Sequence, residues 1–114
     1  MPHEEGLTDD PLGFIRRCVK ERKVFWTYHV NMRLKNRFIR REAILLSYPS
    51  YEIIEEYQKD KYFPSYLVRS VYGNDIIHIV FAADQEADNV RIVTAYFPNP
   101  VEWERDFRTR RRTP

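Results

Sequence analysis

The sequence has little of what builds disulfide frameworks, zinc sites or membrane spans. It contains one cysteine, which cannot form an internal disulfide, and no close group of histidine and cysteine residues suggests zinc. Its apolar runs are far shorter than the ~20 residues that cross a bilayer. The acidic N-terminus, MPHEEGLTDD, lacks the apolar segment of a signal peptide. These absences predict a cytoplasmic protein with no membrane contact, no metal and no cofactor.

The residues that are present predict one folded domain. Hydrophobic residues make up 43% of the chain and aromatic residues 15%, which excludes an intrinsically disordered chain. A length of 114 residues allows one hydrophobic core and is too short for two.

Charge is unevenly distributed, although the net charge is only +2. Residues 14–41 carry ten lysines and arginines against one acid, and residues 91–114 carry six arginines against three acids. The segment between them carries nine acids against three bases. Two basic zones around an acidic middle favour a polyanion as partner. The alternative is that these zones are solvated surfaces without a ligand.

Cap and turn residues predict helices in the first half of the chain. Asp10 can cap a helix, and Pro11 fits its first position, so a first helix is expected to extend to about residue 22. Further helices are predicted at about residues 29–36 and 40–48, with a short final helix from Asn99 to about Phe107.

Strand-like runs occupy the second half, in which Gly73-Asn74 predicts a hairpin between residues 66–72 and 75–83. A third strand is predicted at 90–97, whereas YEIIEEY (51–57) fits either a helix or a strand. This order predicts an α+β fold, with N-terminal helices packed on a three- to four-stranded antiparallel sheet and a short C-terminal helix.

The two turns predict which side chains meet across the strands. A Gly73-Asn74 turn places Arg69 opposite His78, and a second turn centred on Ala87 places His78 opposite Tyr96. Histidine can transfer protons, arginine can hold a phosphate, and tyrosine can donate a hydrogen bond or stack on a base. When RNA is cleaved by attack of its own 2′-hydroxyl, the reaction needs a proton acceptor, a proton donor for the leaving 5′-oxygen and positive charge at the phosphate. The alternative for His78 is a hydrogen-bonded residue inside the sheet.

A second group follows helical spacing in YHVNMRLKNR. His29, Arg33 and Arg37 stand four residues apart, so a helix places them along one face. This stripe could hold phosphate. The alternatives are a helix-start role for His29 and surface charge or ion pairs for the two arginines.

Several segments resemble, in order, the domain-of-unknown-function family 4258 (DUF4258). They are HVNMRLKNRFI, YEIIEEY with KDKYFPSYLV, IHIVFAAD and RIVTAYFPNPVEWE. The resemblance covers about residues 24–107, with an N-terminal extension containing a helix at 1–23 and a basic tail at 108–114. Phe38 stands where the family commonly has glycine, and Phe97 where it commonly has a basic residue.

The resemblance implies a RelE-like toxin of a bacterial toxin–antitoxin pair. Such proteins pack helices on an antiparallel sheet, cut mRNA without metal, often on the ribosome, and are neutralised by a cognate antitoxin. The family's recurring polar positions correspond here to His29, Arg33, Arg37, His78, Thr94 and Tyr96. Arg69 comes from the strand register alone.

The sequence therefore predicts a metal-independent endoribonuclease acting on mRNA. The expected catalytic residues are His78 as general acid or base, with Arg69, Tyr96 and His29. The expected RNA-binding residues are Arg33, Lys35, Arg37, Arg41, Thr94 and Arg110. The alternative is a non-catalytic module of the same fold that binds a protein or nucleic acid. A homodimer through an exposed aromatic patch is a further option, although a role in covering the core is favoured for these residues, which are Tyr48, Tyr51, Tyr57, Tyr62, Phe63 and Tyr66.

Overall fold

A computed structural model describes residues 9–57 and 63–112. In these ranges the chain forms three α-helices, which are α1 (Pro11–Lys20), α2 (Tyr28–Asn36) and α3 (Arg41–Leu46). The strands are β1 (Val24–Phe25), β2 (Glu52–Tyr57), β3 (Ser65–Tyr72), β4 (Asp75–Asp84) and β5 (Asn89–Tyr96). The predicted α+β class is confirmed.

The strands form a five-stranded mixed sheet with the order β1-β5-β4-β3-β2. β1 pairs in parallel with β5, and the other neighbours are antiparallel. The expected three- to four-stranded antiparallel sheet is therefore wrong in strand number and in the direction of one edge strand. β1 has two residues, too few to show the alternation that identifies a strand in a sequence.

Two of the helices begin with side-chain caps. Asp10 Oδ1 accepts a 2.9 Å hydrogen bond from the Gly13 backbone N–H, as Asp10-Pro11 predicted for α1. Thr27 Oγ1 accepts from the Val30 backbone N–H at the start of α2. These caps satisfy backbone donors that lack partners within the helix.

The turn after α2 closes the C-terminal end of the helix. Phe38 has φ +58°, in the left-handed region that glycine adopts without steric cost. Its N–H bonds Lys35 O, and the Ile39 N–H bonds Leu34 O, which is the hydrogen-bond pattern of a Schellman motif. The ring of Phe38 is 89% exposed, so packing does not compensate for the strained backbone.

The main hydrophobic core lies between the helices and one face of the sheet. α1 contributes Ile15, Cys18 and Val19, and β4 contributes alternate residues such as Ile79 and Phe81. Tyr51 and Tyr66 are also buried in this core, which agrees with the favoured role of the aromatic residues in covering the core and removes these two from any exposed homodimer interface. Tyr62 lies outside the described residues.

The opposite face of the sheet is partly covered by residues 99–112, which we call the flap. The final helix expected in this segment is not present. Asn99 instead accepts from the Val101 N–H through its side chain, Trp103 forms an antiparallel bridge with Arg110, and Phe107 has φ +54°. A folded-back turn buries Trp103 on the sheet, and this tertiary contact overrides the local helix signals.

Candidate functional site

The predicted row of Arg69, His78 and Tyr96 is present on the face that the flap covers. Arg69 lies opposite His78, and His78 lies opposite Tyr96. The turn between β4 and β5 is centred between Glu86 and Ala87, half a residue from the expected centre. The expected pairing of His78 with Tyr96 still forms, because a bulge at Val93 adds one residue to β5. Val80 therefore pairs with Thr94, whereas Phe81 pairs with Ile92.

His78 is closed off from solvent, with 0% of its surface exposed. Its ring makes edge contacts with Trp103 at 4.6 Å and Tyr96 at 5.5 Å between centroids. Its Nε2 lies 2.8 Å from the Phe107 carbonyl oxygen. Because a carbonyl only accepts, Nε2 carries the hydrogen. Nδ1 is buried and has no hydrogen-bond partner among the described residues.

Burial lowers the pKa of His78 below its usual value, against the opposing effect of the Phe107 carbonyl. The neutral imidazole is therefore the stable form at neutral pH. In this arrangement the flap covers the His78 ring, whereas a general acid or base must contact the substrate.

The flap is held on the sheet by charged groups as well as by Trp103. Arg69 Nε donates a 2.9 Å hydrogen bond to the Asp106 carbonyl oxygen. Arg108 pairs with Glu52 at 2.8 Å, and Arg110 pairs with Glu55 at 2.6 Å. The Arg110 pairing lowers the pKa of Glu55. Arg69, expected to be catalytic, and Arg110, expected to bind RNA, thus hold the flap against the sheet.

A separate cavity of about 690 Å³ lies between the start of α2 and the sheet. His29 and Arg33 of α2 line it, together with Arg91 of β5. None of the three residues of the Arg69–His78–Tyr96 row borders this cavity. Ala82 borders the cavity, and it lies four residues from His78 along β4, a distance of about 13 Å at the usual rise per residue. His29 therefore lines a cavity that His78 does not border.

The positive charges at the cavity are not neutralised within the described part of the chain. Arg17, Arg108, Arg110 and Arg111 each pair with a carboxylate. No such pair forms at Arg33 or Arg91 among the described residues. The Arg91 guanidinium lies over the Phe63 ring, 5.2 Å from its centroid. These exposed cations are thus available to an external anion.

The other residues expected to bind RNA lie nearby, several of them in structural contacts. Arg37 Nη1 donates to Thr94 Oγ1 at 3.1 Å and to the Ala95 carbonyl at 2.8 Å, which fixes the end of α2 to β5. Arg41 donates to Asn31 Oδ1 at 2.7 Å. Lys35 is exposed at the end of α2. The stripe of His29, Arg33 and Arg37 therefore runs beside β5; the spacing predicted the stripe but not the strand that it meets.

Comparison with known families identifies the family of this chain. Residues 26–97 match the family described as a domain of unknown function, DUF4258. The chain belongs to the DUF4258 family. No curated protein and no solved structure matches it.

The DUF4258 region contains α2, α3 and the strands β2 to β5, and so includes the cavity. α1, β1 and the flap lie outside it. Trp103 and Phe107, which close off His78, lie outside the matched residues of this DUF4258 protein.

Sequence reasoning missed two features of this DUF4258 protein. Arg91 was not singled out, because the expected register places Ile92 opposite Ala82, and only the bulge at Val93 shifts the pairing so that Arg91 lies there. The covering of His78 by Trp103 gave no local signal, because the contact joins distant parts of the chain.

Within residues 9–57 and 63–112, no three His, Cys, Asp or Glu side chains are grouped so that they could hold a metal ion. Among the helices of the described part of the chain, none has the length and apolar character needed to cross a membrane.

Proposed function

We propose that this DUF4258 protein is a metal-independent endoribonuclease that binds RNA along α2 and the adjoining cavity. The observation that carries the proposal is the group of His29, Arg33 and Arg91 around one cavity, where the two arginines lack carboxylate partners among the described residues. A RelE-like fold, a cytoplasmic location, mRNA as substrate and neutralisation by a cognate antitoxin belong to the same proposal.

The chemistry assigned to this site is attack by the RNA's own 2′-hydroxyl. His29 accepts the 2′-hydroxyl proton as O2′ bonds to phosphorus. The bond from phosphorus to the 5′-oxygen breaks, and that oxygen takes a proton from water, which leaves a 2′,3′-cyclic phosphate and a 5′-hydroxyl. Arg33 and Arg91 stabilise the charge on the phosphate during the reaction.

The test is cleavage of a labelled RNA by the purified protein in EDTA, with and without ribosomes. His29→Ala is expected to lower the rate by about a hundredfold or more, as loss of a proton-transfer group does. Tyr28→Ala is the matched control, because Tyr28 is an exposed neighbour on α2, and it should keep the parent rate. Absence of cleavage by the parent under both conditions contradicts the proposal.

The second candidate is a non-catalytic module that binds a protein or nucleic acid. It is favoured by the flap, which closes the Arg69–His78–Tyr96 row, and by the exposed Phe97, at a position where the resemblance to DUF4258 implies a basic residue. RNA binding that weakens steeply with salt but is not followed by cleavage would support this candidate with a nucleic acid as partner.

A further inference from the structure

The cavity beside α2 has the size of a small-ligand site. Its volume of about 690 Å³ falls within the roughly 300–1,000 Å³ that is usual for ligand pockets. Its wall is largely apolar, formed by Val30, Phe63, Ala82, Ile92 and Val93. A simple phosphate site needs no apolar wall of this extent, so the charges alone do not define the ligand.

The charged residues of the cavity are all potential cations. His29, Arg33 and Arg91 line it, and no carboxylate is among the described residues that do. An apolar peptide would leave these groups without a counter-charge. A ligand that combines a planar, weakly polar ring with a phosphate satisfies both parts of the cavity, and a nucleotide has this composition.

A base can enter such a cavity only when it is unpaired. In a duplex the faces of each base are stacked on neighbouring pairs, whereas single-stranded RNA can turn a base outward onto apolar or guanidinium surfaces. The Arg91–Phe63 contact holds a guanidinium beside the apolar wall, where it can meet both the base and an adjoining phosphate.

We propose that the cavity binds one unpaired nucleotide of RNA, with its base against Val93 and Ala82 and an adjoining phosphate at Arg33 and Arg91. This inference rests on the proposed function, since it names single-stranded RNA as the substrate class of the same site. Base insertion makes the site selective for unpaired RNA over a duplex with the same backbone charge.

The test compares three RNA probes in a fluorescence anisotropy titration. The probes are a 2′-O-methyl single strand, the same strand with abasic residues, and the corresponding duplex. The 2′-O-methyl group blocks the reaction, so binding is measured whether or not the protein cleaves RNA. The single strand is expected to bind about tenfold tighter than the abasic strand, as one stacked base would provide. Equal affinities overturn the inference.

A pair of tryptophan substitutions locates the effect. Val93→Trp fills the cavity from its rim, where Val93 is 48% exposed, and should remove the preference for the single strand over the abasic strand. Val101→Trp places the same side chain on the flap at a residue that is 79% exposed, and should leave that preference unchanged. A preference that survives Val93→Trp contradicts base insertion.

The two proposals fail in different ways. Base-selective binding of the blocked RNA without cleavage of unmodified RNA refutes the nuclease and retains the nucleotide site. Cleavage without any effect of bases on affinity refutes the nucleotide site and retains the nuclease.

Discussion

Replacing Trp103 by alanine is expected to lower the melting temperature of the protein by about 12–17 °C. Trp103 is 1% exposed and packs its ring against His78 on one side, with the Arg110 guanidinium 4.6 Å from its centroid. It therefore joins the flap to the sheet through one large, buried side chain.

The magnitude follows from the size and place of the side chain. Truncating a buried tryptophan to alanine costs about 3–5 kcal/mol of unfolding free energy. Trp103 lies outside the main core cluster, so we expect the lower part of that range, about 3–4 kcal/mol. A chain of 114 residues has an unfolding entropy of about 0.24 kcal/mol per degree, which converts this loss into the stated shift.

The assay is thermal unfolding followed by circular dichroism, with Val101→Ala as control. Val101 is an exposed residue of the same flap, and its truncation should change the melting temperature by about 2 °C or less. A second measurement is the NMR titration of His78, whose pKa should rise toward its usual value when the tryptophan is removed. A Trp103→Ala shift as small as that of the control would refute the packed flap.

Three further predictions concern other parts of the fold. Phe38→Gly should raise the free energy of unfolding in urea by about 0.5–1 kcal/mol, because it relieves the left-handed backbone, whereas Phe38→Ala should not. Burial lowers the pKa of His78 in the folded protein, so on acidification the histidine is protonated in the unfolded chain before it is protonated in the folded one. The free energy of unfolding should therefore fall as the pH drops below about 6.5, and level off once the pH is below the folded-state pKa. His78→Gln should show a smaller loss between pH 7.5 and 5.5 in urea unfolding. Asp10→Ala should cost about 1 kcal/mol in the same assay, since it removes the cap of α1; no change would mean that the Gly13 hydrogen bond is not formed in solution.

The parts of the fold that the sequence predicted depend on local signals. Asp10-Pro11 marked the start of α1, and Gly73-Asn74 set the pairing of Arg69 with His78. The pairing of His78 with Tyr96 was also confirmed, although the bulge at Val93 that produces it was not expected. Turns and caps involve neighbours in sequence, so they can be recognised without the rest of the structure.

The parts that were wrong or undecided depend on contacts between distant residues. YEIIEEY could not be assigned, because its strand is identified by pairing with β3 and by Glu55 meeting Arg110. Asn99 and Pro100 indicated a helix, but burial of Trp103 against His78 favours a turn. The same contact makes His78 inaccessible, which no spacing in the sequence could reveal.

The central claim is that RNA binds at α2 and its cavity and not at the Arg69–His78–Tyr96 row. The most direct measurement is an NMR titration of the labelled protein with the 2′-O-methyl single strand, followed through backbone amide shifts. The account predicts the largest shifts at residues 27–37 and 90–94, with small shifts in the flap. Shifts concentrated in the flap and around His78 would contradict it.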